Sequence, residues 1–143
     1  MLHLLLVTDS DRIRRRIAGQ LPDDLELVPA RSGEDAVEVI GRSSRLDAIL
    51  VAREFLEIPE NDLVDDPAVP LDKRRLRLDQ GLAIAALIRS EVPGSLPIAL
   101  LETRSDEIPK NLAALAWPRE AITSGGIPAL LERLLSGSGQ TTV

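Results

Sequence analysis

Apolar positions along the chain follow two rhythms: short runs that are almost continuously apolar alternate with segments where apolar residues return every three or four positions. The runs predict strands at Leu2 to Val7, Leu25 to Ala30, Asp47 to Ala52, Leu96 to Glu102 and Leu112 to Trp117. The periodic segments predict helices. The first runs from about Asp11 to Gln20, with Ile13 and Ile17 turned inward and Arg12, Arg14, Arg15 and Arg16 mostly outward. A second is announced by Ser32 with Asp35 behind it, a capping pattern ahead of Ala36, Val37 and Ile40. A third spans Gly81 to Val92, and the last spans Ile127 to Leu135. Strands without a polar face must be buried on both sides, so the order of elements predicts an α/β domain with a parallel sheet.

One connection breaks the rhythm. Between the third strand and the third helix lie about residues 53–80, where compact α/β folds use roughly 2 to 6 residues. Its charges are segregated, with "ENDLVDDP" acidic and "DKRRLRLD" basic, and Pro59, Pro67 and Pro70 keep a helix or strand from running through it. It reads as an insertion whose deletion leaves a folded domain. The tail "SGSGQTTV" has linker composition, so the domain is drawn as 1–135 and the tail as 136–143.

Composition narrows the chemistry. Hydrophobic residues make up 44% of the 143, but Phe, Trp and Tyr only 1%, so the core is built from aliphatic side chains. No Cys is present, which removes disulfides and thiolate chemistry and fits a reducing cytoplasm. His3 stands alone and builds no zinc site. The apolar start is too short, and has no basic flank, for a signal peptide or membrane span. A net charge of −6 argues against a nucleic-acid partner, whose affinity comes mainly from neutralised phosphates. Neither a glycine-rich phosphate motif nor a nucleophile elbow is present, and no general-base His stands outside His3, so no enzyme or cofactor is indicated.

The ordered set "LLLVTDSDRIRRRI", "ARSGEDAVEVI", "LDAILVA", "GLAIAALIRS", "LPIALLET" and "AWPREA" resembles response-regulator receiver domains from end to end. The resemblance implies a doubly wound, flavodoxin-like sheet of five parallel strands, order 2-1-3-4-5. It also implies a place in bacterial two-component signalling and a site at the carboxyl ends of the strands. Receivers hold Mg²⁺ on an acidic pair after the first strand, where this chain has Thr8 and Asp9, with Asp11 close by. Their phosphoacceptor Asp ends the third strand; the aligned residue is Ala52. A Thr or Ser ends their fourth strand, where Glu102 stands with Thr103 next, and their Lys-Pro after the fifth strand is Trp117 and Pro118. By the resemblance, the set is a degenerate phosphorylation site with Asp9 and Asp11 as weak metal candidates. Glu54, two residues beyond Ala52 and on the same face of a strand, is the acidic alternative.

Receivers also place a helix between the fourth and fifth strands, but "TRSDEIPKN" offers nine residues interrupted by Pro109. A helix that short is marginal. Trp117 is expected at the rim of the old pocket, packing where the Lys would reach. Leu130, Leu131, Leu134 and Leu135 read as a core stripe in preference to a dimer seam, and "RIRRR" reads as a solvated face.

The expected function is a pseudo-receiver: a regulatory module that acts without phosphorylation, binding another signalling protein or an attached effector domain, or self-associating as a homodimer. Glu54, Asp65, Asp66, Lys73, Arg74, Arg75 and Arg77 form its candidate surface, with internal pairing of the basic and acidic runs an equal reading. Switching through the remaining carboxylates, or a small ligand in the vacated pocket, are the alternatives. No membrane partner is expected.

Overall fold

Alternate side chains of the central strands sort the core into two halves, one on each face of a five-stranded parallel sheet. The computed structural model describes residues 2–43, 45–66, 72, 74–92, 96–110, 112–118 and 126–137. Its strands are β1 (Leu2–Val7), β2 (Leu25–Ala30), β3 (Ala48–Val51), β4 (Ile98–Leu101) and β5 (Leu115–Trp117), ordered β2-β1-β3-β4-β5. The helices are α1 (Asp11–Ala18), α2 (Gly33–Arg42), α3 (Gln80–Glu91) and α4 (Ile127–Gly137). The expected fold class and strand order are therefore those observed.

Strand ends are shorter than the apolar runs suggest. Asp47 stands just outside β3; its carboxylate accepts the His3 N–H and its own N–H donates to the His3 carbonyl, both at 2.8 Å. The fifth strand begins at Leu115 and not Leu112, whose side chain is buried in the core ahead of the strand. The last helix continues through Gly137, two residues past the expected end, and residues 138–143 of the expected tail lie outside the described residues. Among the described residues between β4 and β5 the regular structure is a 3-10 turn, Ser105–Glu107.

Leu5, Val7, Ile49, Val51, Ile98 and Leu100 face α2 and α3; Leu4, Leu6, Ala48, Leu50, Ala99 and Leu101 face α1 and α4. Both early helices start as their sequences suggest. Ser10 Oγ accepts the Ile13 N–H, Ser32 Oγ accepts the Asp35 N–H, and Asp35 reaches back to the Arg31 N–H. α3 is buried from Gln80 through Ala86, more than a helix covering one sheet face requires.

The cause is the described part of the long connection, whose residues 55–64 pack against the domain. Phe55 is fully buried and Ile58 nearly so, both within the α2/α3 half of the core. The Gln80 side chain exchanges hydrogen bonds with the N–H and C=O of Val64, and donates to the Leu76 carbonyl. A Cβ on Gly33 would collide with Val64 and crowd Ile84 and Leu87, so this segment, α2 and α3 meet at close range. Deleting it would open the core, contrary to the sequence expectation. Among the described residues no helix is long and apolar enough to cross a membrane.

Candidate functional site

At the carboxyl end of the sheet, β1, β3 and β4 bring together most of the residues singled out in the sequence. Thr8 and Asp9 follow β1 and are both buried, at 4% and 2% exposure. Asp9 Oδ2 accepts two backbone N–H groups, from Glu57 at 2.7 Å and Ile58 at 3.0 Å. Thr8 Oγ1 accepts the Ser10 N–H. Asp11 is turned elsewhere: its Oδ1 is shared by the exposed guanidiniums of Arg14 and Arg31, while Arg31 also donates to the Asp9 carbonyl.

Ala52 sits just past β3 and is 1% exposed. Its carbonyl lies against the start of α3, where a Cβ on Gly81 would strike it. Arg53, with its side chain 18% exposed, becomes the centre of the site. Its Nε donates to Asp79 Oδ1 at 2.8 Å, its Nη1 to the Glu102 carbonyl at 3.3 Å, and its Nη2 pairs with Glu107 Oε2 at 2.7 Å. Arg75 takes the other Asp79 oxygen at 2.7 Å. Hydrogen bonding to Glu107, and then to Asp79, raises the Arg53 pKa against the opposing effect of burial. The reciprocal bond from Arg53, helped by the Arg104 N–H, lowers that of Glu107.

Thr103 is fully buried and its hydroxyl donates back to the Leu101 carbonyl. Glu102 before it holds a left-handed backbone, φ 55°. Trp117 is not at the rim of the site. It packs against α4 in the opposite half of the core, with the Arg133 guanidinium 5.9 Å from its ring centre, while Pro118 reaches the site. Arg53, Glu54, Arg75, Leu78, Asp79, Glu102, Arg104, Glu107 and Pro118 line an open cleft of about 370 Å³.

The candidate surface divides. Asp65 and Arg74 are exposed; Asp66 is half-buried; Glu54 and Arg75 line the cleft; and Lys73 lies outside the described residues. Arg77 is turned inward and donates to the Phe55 and Ile58 carbonyls, so it is a structural residue. Within the basic run, Arg75 pairs with Asp79 and Arg77 with backbone carbonyls.

Sequence reasoning missed Arg53 and its partners Asp79 and Glu107. An arginine leaving a buried strand was the one signal present; its carboxylate partners stand far along the chain.

Mg²⁺ demands several oxygen ligands in near-octahedral array. The donors here do not fit it: Asp9 Oδ2 is filled by two amides, Asp11 faces guanidiniums, Ala52 has no donor, and a cation stands beside it.

Solved structures with the same architecture include response-regulator domains. The N-terminal domain of a response regulator/sensory box/GGDEF 3-domain protein from Carboxydothermus hydrogenoformans superposes with a TM-score of 0.65 at 19% identity, over 99% of each chain. The fold is that of response-regulator receiver domains. The Vibrio cholerae chemotaxis protein CheY4 gives 0.65 at 20% identity, over 94% of this chain and 99% of that one. NtrX from Brucella abortus gives 0.62 at 19%, over 99% of this chain and 28% of that one. No family model and no curated protein matches the receiver-like chain.

Proposed function

We propose that this receiver-like chain is a cytoplasmic signalling module that works without phosphorylation, by binding another signalling protein or an attached effector domain. The observation that carries the reading is the use made of Asp9. The remaining carboxylate after β1 is committed through Oδ2 to the Glu57 and Ile58 amides, a structural role within the chain's own backbone. Ala52 offers no nucleophile, and the cation that follows it already has two carboxylate partners. Attachment to effector domains is supported by two neighbours, one the first of three domains and the other matched over a fraction of its length.

The test is a titration of the purified chain with Mg²⁺, then with Mg²⁺ and beryllofluoride, a phosphoryl mimic, followed by calorimetry. Absence of heat beyond dilution is expected. Saturable binding of the mimic would overturn the reading and send the search to Asp9, Asp11 and Glu54.

A further inference from the structure

The connection from β4 to β5 meets the core at Thr103, Ile108 and Leu112, and the turn between them is exposed. Among the described residues its regular structure is one 3-10 turn, Ser105–Glu107, flanked by the exposed Arg104. At its start Glu102 adopts a left-handed backbone, which a residue bearing a side chain keeps only where its surroundings hold it. Arg53, at the end of the neighbouring strand β3, supplies part of that hold. One guanidinium nitrogen takes the Glu102 carbonyl, and another pairs with Glu107 Oε2. Glu107 Oε1 accepts the Arg104 N–H, so the same carboxylate closes the turn with one oxygen and meets Arg53 with the other. The third contact, to nearly buried Asp79, anchors the guanidinium to the start of α3, with Arg75 on the far oxygen.

We propose that Arg53 is a fixed strut: a positioning residue that sets residues 102–107 in one conformation at the carboxyl end of the sheet. The proposal rests on the phosphorylation-independent reading, because a strut built from the chain's own side chains needs no modification to be in place. A planar fork serves three acceptors in different directions, which a lysine ammonium at the end of a flexible stem does not reproduce.

Amide hydrogen exchange on the full chain, in buffer without Mg²⁺, tests the strut without a partner in hand. In Arg53→Met, amides of residues 103–108 are expected to exchange at least about tenfold faster, the scale of losing hydrogen bonds to a charged group. Amides of β1 and β3 keep their protection. Glu107→Gln is the second variant, because it retains an oxygen for the Arg104 N–H and removes only the charge facing Arg53. It is expected to accelerate the same amides, and the double variant to add little to either single change. Unchanged exchange at 103–108 in both single variants would overturn the strut, as would fully additive acceleration in the double variant. Binding of the phosphoryl mimic to the unaltered chain would instead remove the reading on which it rests, leaving the exchange result standing.

Discussion

Gly81 lies directly against the Ala52 carbonyl, with no room between them for a side chain. Its N–H donates to the Arg53 carbonyl at 2.9 Å, so the first turn of α3 is sewn to the residue that leaves β3. Gly81→Ala would push the helix off the strand end, because the obstacle is backbone and cannot rotate away. The expected cost is about 3 kcal/mol or more, at the upper end for overpacking, read as a lowered urea midpoint at unchanged slope.

Asp9→Ala removes one acceptor and strands two donors. The Ile58 amide then lacks a partner in a buried setting and the Glu57 amide in a partly buried one, and the expected loss is about 2 to 3 kcal/mol. Local exchange should identify the cause: those two amides lose protection first. If the variant unfolds at the same urea concentration as the parent chain, the clamp contributes nothing.

Neighbouring residues in the long connection should behave oppositely. Phe55 is fully buried, whereas Leu56 is 59% exposed. Phe55→Ala is expected to cost about 3 to 5 kcal/mol and Leu56→Ala no more than about 0.5 kcal/mol. Thermal unfolding of the two variants compares them directly, and similar midpoints would mean that the segment does not share the core.

Acid should loosen the β4 to β5 connection before it unfolds the sheet. Glu107 has its pKa lowered, chiefly by the hydrogen bond from Arg53. A lowered folded-state value means that the carboxylate adds stability above the ordinary glutamate pKa of 4.5, and that this contribution fades as pH falls below 4.5 through the folded value. Glu107→Gln should therefore lower stability near neutral pH and converge with the parent chain below that range. Parallel stability curves across it would refute the assignment.

The strands were legible because burial on both faces leaves a short continuous apolar run, as in β1 and β3, bounded by polar and turn residues. The starts of α1 and α2 were legible because Ser10 and Ser32 act locally, on amides three residues ahead. Local signals failed where the partner is remote. Arg53 finds Asp79 across 26 residues of chain and Glu102 across 49, and no periodicity links them. Arg89 was equally silent: it sits on α3 as one more charged position, yet its guanidinium takes the Leu96 and Ala113 carbonyls. Trp117 was misplaced because a strand of three residues is too short for its pattern to show which face each side chain takes.

The two sheet edges limit how a partner can engage this chain. β5 offers three residues, and β2 carries Pro29, which has no N–H to give a neighbouring strand. An extended peptide seeking to lengthen the sheet by strand addition would find few backbone groups to pair with. Recognition is thereby directed to side chains and loops, so affinity for a partner should respond to point substitutions on the surface far more than to a partner's propensity to form a strand.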